Sequence, residues 1–462
     1  MDLEAIHHFS LEILEESGIL IQDERIHALL RDRGITSVSE NRPLLFQKKQ
    51  VEDALRLAPR TVRLGSRNPS QIIDLTSEER LHFMPSSTGV AVIDWKTHER
   101  RPSLFQDLQD LIHVQQQLPQ VEVARAMVTA TDYHPDKADL LEFLTGFRLS
   151  TKHFHHRTIK SKNIRPLLDM AEALAGGKSA LRKNPLLSVS YCPLSPLSFP
   201  PEVAHSMLEF ARAGIPILIL SMAMGGATSP ATPLGEAILV NAEILAGITL
   251  VQTLHPGAPL IYGSVSSVMD MKTGILALGR PERGLVNSLL ARMANFYHIP
   301  CIVGGLSCDA KFIDFQGGFE KALTTIPLLD CANLISGMGL INSANTYSIE
   351  QLVLDADLVE AFKRLGRRTV QSEGREECDL IKRLGPRKDY FTEEHTFAHF
   401  REFWEPAFFN RTLSYKTDES IGKVQQRVKE KVYKLIDTRR EKLIDEKTDQ
   451  ELETIFRQAL EA

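Results

Sequence analysis

The chain has 462 residues, of which 43 % are hydrophobic and 24 % charged, with a formal net charge of −5. That balance suits a globular protein with a sizeable core, and it gives nucleic acid or an anionic membrane no electrostatic hold. Its five cysteines (Cys192, Cys301, Cys308, Cys331 and Cys378) are widely spaced without a CxxC pair, which argues against a disulfide framework and for a reducing, cytoplasmic setting. The first residues, MDLEAIHHFSLEILEESG, lack the basic-then-apolar order of a signal peptide, and no apolar run is expected to reach the roughly 20 residues of a membrane span.

The predicted elements begin with a cap region rich in helix. Ile6, Phe9, Ile13 and Leu14 recur at helical spacing before Gly18, and Ile26, Leu29 and Leu30 mark a second short helix before Gly34. In LHFMPSSTGVAVIDW, residues 81–95, turn formers separate two apolar runs, which predicts a β-hairpin at the end of an N-terminal region covering 1–104. From about residue 105, apolar or β-branched runs at 121–128, 151–156, 186–192, 215–222, 260–265, 299–303 and 333–336 alternate with amphipathic helical stretches. This near-regular alternation predicts an α/β fold in which a parallel sheet closes as a (β/α)8 TIM barrel over 105–400, with an eighth strand that the pattern does not place. Thr232 and Pro233 supply the cap and first position of a helix expected to stop near Gly247. The segment 401–462 has helical periodicity and mixed charge, and is expected to form C-terminal helices against the barrel or across a dimer.

In a parallel α/β protein the loops at the carboxyl ends of the strands hold the chemistry. The run from Ile299 to Glu320, IPCIVGGLSCDAKFIDFQGGFE, passes from such a strand into Asp309, Lys311, Asp314 and Gln316, and is the leading site candidate. Paired glycines at Gly225, Gly304 and Gly317 mark tight turns, but none completes a GxGxxG or GxxxxGK[ST], so a nucleotide fold has no support. His153 and His155 alternate onto one strand face and, with Cys192 and Cys308, could supply a zinc set, but without a compact ligand spacing they read better as hydrogen-bonded core histidines and inert thiols. Tyr191, Tyr262, Trp95, Phe312 and Phe315 fall near strand ends, where they form either core or a cage for a quaternary ammonium. Asp309, Asp314 and Glu243 would add attraction for a cation, or serve as helix caps and salt-bridge partners.

The run GATSPATPLGEAILVNAEILAGITLVQTLHPGAPLIYGSVSSVMDMKTGILALGRPE, followed by CDAKFIDFQGGFEKAL and CANLISGMGLI, resembles the trimethylamine methyltransferase family. The likeness includes LEILEESGI and LRLAPRTVRLGSRNP near the start and fades after about Gly366. It implies a TIM barrel that moves a methyl group from a methylated amine to the cobalt of a corrinoid (cobalamin) carried by a separate cognate protein. Trimethylamine enzymes of this family use pyrrolysine; this chain carries only standard residues, with Lys311 in the corresponding region. It therefore resembles the non-pyrrolysine branch, whose members act on quaternary amines such as glycine betaine.

On that resemblance Asp309 and Lys311 are the expected catalytic residues. Tyr191, Tyr262, Glu243, Phe312, Asp314, Phe315, Gln316 and Ser336 are the expected substrate contacts, with no resident metal. A betaine carboxylate would need Lys311, Arg283 or the Ser336, Asn342 and Ser343 segment. Ser336 stands after ANLI, where members of the glycine betaine type tend to have histidine. The expected partners are the corrinoid protein, a small methylated amine and further copies of the chain in a homo-oligomer. A zinc-dependent barrel methyltransferase and a non-catalytic binder of quaternary amines or of the corrinoid protein are the alternatives.

Overall fold

The computed structural model describes residues 3–35, 39–78, 81–86, 88–366, 374–409, 411 and 423–461. Its centre is an eight-stranded sheet. The strands are β1 (His82–Pro85), β2 (Val123–Ala124), β3 (His153–His156), β4 (Leu187–Tyr191), β5 (Ile217–Ser221), β6 (Leu260–Ser264), β7 (Cys301–Gly304) and β8 (Leu334–Met338). They run β1-β8-β7-β6-β5-β4-β3-β2, with every paired neighbour parallel. Each expected strand lies inside its predicted run or within two residues of it.

The strand that the sequence pattern left unplaced is β1. The hairpin expected over 81–95 does not form, because its two arms enter different sheets: β1 pairs with β8, whereas Ala91–Ile93 pairs with Arg100–Pro102 and Thr346–Tyr347. The barrel thus begins ahead of residue 105. Its seam between β1 and β2 is narrow, since β2 is only two residues long. Glu122 holds it: its N–H donates to the Phe83 carbonyl at 3.1 Å, and its carboxylate accepts from the Phe83 N–H at 3.0 Å and pairs with Lys363 at 3.1 Å.

A hairpin of Thr61–Leu64 and Ile73–Thr76 plugs the amino-terminal end of the barrel. Val62, Leu64, Ile73 and Leu75 join one apolar cluster with Met84, Val123, Leu218, Ile261, Ile302 and Leu334. The Gly65 and Arg67 N–H groups donate to the Pro185 and Thr151 carbonyls, so the plug is hydrogen-bonded to the loops entering the strands. With one end filled, the barrel interior opens at the other.

Outside the strands, the helix Pro233–Leu254 is capped by Thr232, whose Oγ1 accepts from the Gly235 N–H at 3.2 Å. It continues past Gly247, where it was expected to stop. A Cβ at Gly247 would sit 3.0 Å from Ile219 and 3.1 Å from Phe199, so the glycine permits close packing on β5 rather than ending the helix. Contrary to the expectation from apolar runs, this helix of 22 residues, with an 18-residue window of mean hydropathy 1.7, is long and apolar enough to cross a membrane. Here it lies buried against helices Leu3–Glu16, Lys48–Leu57 and Pro281–Phe296. At the carboxyl end of the chain, Glu446–Glu461 packs on Ala138–Leu149 and Ile164–Ala175, with Arg148 paired to Asp449 and Glu453. Lys423–Asp437 packs on Ile349–Gly366 and Phe105–Gln117.

Candidate functional site

The carboxyl ends of the strands surround a cavity of about 510 Å³. Each strand end delivers its residues according to the pleat. Ser86 follows β1, Arg125 follows β2, Arg157 and Thr158 follow β3, and Tyr191 and Cys192 end β4. Leu220 and Met222 come from β5, Val265 from β6 and Ser336 from β8, while Arg283 enters from the helix Pro281–Phe296. Leu278 and Leu340 complete an apolar wall, and Arg157, Cys192, Glu202 and Met222 are exposed where the cavity opens.

Of the expected substrate contacts, the structure places Tyr191 and Ser336 on this cavity. The Tyr191 hydroxyl meets Thr158 Oγ1 at 2.5 Å, and Ser336 donates to the Pro85 carbonyl at 3.1 Å across the β8–β1 pair. Between Ser336 and Met338 the register of that pair shifts, and Gly337 there has φ +152°, with a Cβ position only 1.8 Å from the Gly305 carbonyl oxygen. No side chain fits at 337, and this tight passage sets the turn that follows Ser336.

The other candidates are elsewhere. Tyr262 is fully buried and donates to Asn241 at 2.8 Å, on the helix side of β6. Glu243 accepts from Ser195, Ser221 and the Leu197 N–H at 2.9, 2.7 and 2.9 Å, and burial raises its carboxyl above the ordinary range. Phe315 is 86 % exposed and stacks on Phe319, whereas Phe312 lines a smaller, separate cavity with His98 and Gln425. Trp95 packs edge-on against Tyr433. Asp314 caps the following helix by accepting from the Gly317 N–H, and Gln316 donates to Glu320. The aromatic cage is therefore not assembled: among the described residues Tyr191 is the one aromatic side chain on the main cavity. Tyr191 and Tyr262 stand on strands, where alternation sends one face to the helices, whereas Trp95, Phe312 and Phe315 lie outside the strands.

Asp309 and Lys311 do not line the cavity either. Asp309 accepts from the Leu278 and Gly279 N–H groups, each at 2.9 Å, and from Ser343, so it ties the β7 loop to its neighbours from β6 and β8. Lys311 is exposed and donates to Asn342 at 2.5 Å.

The histidines are committed to a buried chain of hydrogen bonds. His153 Nδ1 faces the Gly65 and Pro185 carbonyls at 3.0 and 3.1 Å, so it carries the proton. Its Nε2 then accepts from Ser188 at 2.8 Å, whose oxygen accepts from His155 Nδ1 at 2.6 Å. His156 points outward to Glu142. Cys308 is buried against the Leu340 carbonyl at 3.6 Å, and burial raises its thiol to about 11. Among the described residues no three His, Cys, Asp or Glu side chains come together as a metal set, so the postulated zinc ligands are not joined.

Three arginines dominate the cavity instead. Arg283 is 3 % exposed and donates to the Val265 carbonyl at 2.6 Å, with Asp309 as its nearby counter-charge and the Glu236 carboxyl beside it. Glu236 is itself buried; burial raises its carboxyl to about 8, opposed by Arg283 and by the Gly225 backbone. Arg125 is 5 % exposed and its Nε has no partner among the described residues. Burial lowers both Arg125 and Arg283 to about 10, which leaves each a cation at neutral pH. The signal for Arg125 was present in VEVARAMV, where Arg125 and Glu122 are the two charges in an otherwise apolar strand run.

Fold and cavity together define a TIM barrel with its site at the carboxyl ends of the strands. The model of the trimethylamine methyltransferase (MTTB) family matches residues 2–460, and the chain belongs to that family of methyltransferases. It is 33 % identical over 414 residues to trimethylamine methyltransferase MttB of Desulfitobacterium hafniense, covering 89 % of this chain and 83 % of that protein. To a glycine betaine methyltransferase of the same species it is 29 % identical over 418 residues, covering 89 % and 86 %. Among solved structures, the monomethylamine methyltransferase MtmB of Methanosarcina barkeri superposes with a TM-score of 0.51 at 11 % identity, covering 94 % of this chain and 87 % of that one. That likeness speaks for the fold.

Proposed function

We propose that this chain moves a methyl group from a quaternary amine, glycine betaine or a related betaine, to the Co(I) of a separate corrinoid protein. The observation that supports this reading is the composition of the cavity, where Leu220, Val265, Leu278 and Leu340 form an apolar wall beside Tyr191, with the buried cations Arg125 and Arg283 also on the lining. An apolar wall with one phenol ring accepts a methylated ammonium, and its low polarity favours release of a neutral tertiary amine from a charged ground state. The corrinoid supplies the nucleophile. The barrel supplies position: it holds the nitrogen, turns one methyl toward the open rim and keeps water away from the apolar side. The leaving group is already neutral, so no acid is required of the protein. Lys311 is an ordinary lysine held outside the cavity, which favours a quaternary over a tertiary amine.

The test is methyl transfer with a purified corrinoid protein reduced to Co(I), followed by the visible spectrum of the corrinoid. Glycine betaine, carnitine, proline betaine, choline and trimethylamine form the panel. Methylation with a betaine and not with trimethylamine is expected; methylation by trimethylamine alone, or by none of the five, would overturn the proposal.

A further inference from the structure

We infer that Arg125 and Arg157 form the anion-holding end of the substrate site, so that the methylated amine carries a carboxylate gripped by these two guanidinium groups. The inference rests on the betaine reading above and deepens it.

The charges in the cavity are unevenly compensated. Arg283 has carbonyl partners and acidic neighbours, as described. Arg125, at the end of β2, has neither: no ion pair or side-chain hydrogen bond engages its guanidinium among the described residues, and its Nε is buried and unpartnered. Tyr347 and Cys192 are its first electrostatic neighbours, and Arg157 from the end of β3 is a second cation near it. Glu202, the acid on the cavity lining, accepts from the Ser161 N–H at the rim. Two guanidinium groups thus line the β2–β3 side of the cavity, and a buried cation without a counter-charge is a standing cost that a bound anion removes.

The chemistry of that anion follows from the donors. A guanidinium fork presents parallel N–H groups that match the two oxygens of a carboxylate. Arg157 is exposed at the opening, whereas Arg125 lies inside, so a carboxylate between them has one partner that can swing and one that cannot. Tyr191 and Cys192 sit next along the strand order, and the Cys192 thiol feels both arginines. A zwitterion would place its carboxylate on β2–β3 and its ammonium toward β4–β6.

The test uses the full-length protein with Arg125→Met, Arg125→Lys and Arg157→Met, calorimetric binding of glycine betaine, carnitine, choline and phosphocholine, and the methyl-transfer assay. Loss of the fixed guanidinium is expected to raise the KM for carboxylate betaines by roughly 30-fold or more, as when one partner of a buried charge pair is deleted, while kcat changes little. Choline should bind wild type and variants alike, and Arg125→Lys should recover part of the loss. Arg157 is exposed, so Arg157→Met keeps the test alive should the Arg125 variants fail to fold. Unchanged betaine affinity in folded Arg125→Met and Arg157→Met overturns the inference, as does tighter binding of phosphocholine than of any carboxylate betaine. If betaines bind in an Arg125-dependent way but methylate no corrinoid, the methyl-transfer reading falls and the anion site stands; if methylation proceeds equally well in both variants, the reverse holds.

Discussion

Gln115 grips the backbone of Arg125 on both sides. Its Oε1 accepts from the Arg125 N–H at 2.8 Å and its Nε2 donates to the Arg125 carbonyl at 2.9 Å. Beyond Ala124 the strand ladder has ended, so a buried side-chain amide takes over the pairing. Gln115→Leu leaves both backbone groups unmet and should cost about 1–3 kcal/mol in urea unfolding. It should also raise the betaine KM more than it lowers kcat, since Arg125 loses its fixed base.

Asp309 and Lys311 are neighbours in sequence and should behave as opposites. Asp309→Ala removes the acceptor shared by two backbone N–H groups and Ser343, and thermal unfolding should report a loss of about 2–3 kcal/mol. Lys311→Met removes an exposed contact to Asn342 and should stay within about 0.5 kcal/mol of wild type with methyl transfer intact. A folded Lys311→Met protein that has lost turnover would falsify the placement of Lys311 outside the site.

His153 should make the barrel acid-labile. Burial lowers it to about 4, under the roughly 6.5 of an unfolded histidine. The unfolded chain therefore binds the proton first, so the contribution is complete above about pH 6.5 and disappears as pH falls toward 4, a loss of about 3 kcal/mol over the window. In His153→Gln the unfolding free energy should vary less steeply through that window, by up to about 1.4 kcal/mol per pH unit. Parallel curves for the two proteins would remove His153 as the cause.

Much of the barrel was legible because a parallel sheet covered by helices is written in continuous apolar runs. β4, β5 and β6 show this plainly, with every residue buried. β1 escaped because it is four residues long, ends in Pro85 and stands next to a turn-rich stretch, which is how a hairpin arm also looks. The site was harder to read. Asp309, Lys311, Asp314 and Gln316 drew attention as a polar cluster, yet the β7 loop spends them on caps and loop ties. Arg125 and Arg157 each stand alone in sequence, and only the adjacency of β2 and β3 brings their guanidinium groups into one cavity.

The pairing of β1 with β8 also orders events in time. β1 is complete by residue 85, but its ladder partner β8 ends only at Met338. At roughly 5–20 residues per second of synthesis, tens of seconds pass between them. During that interval Phe83 and Met84 have no ladder on one side, and each new strand from β2 to β7 leaves a fresh edge open behind it. The ribosome-bound chain is thus an open sheet with two unpaired borders, and closing it is a single late step that joins residues from opposite ends of the barrel.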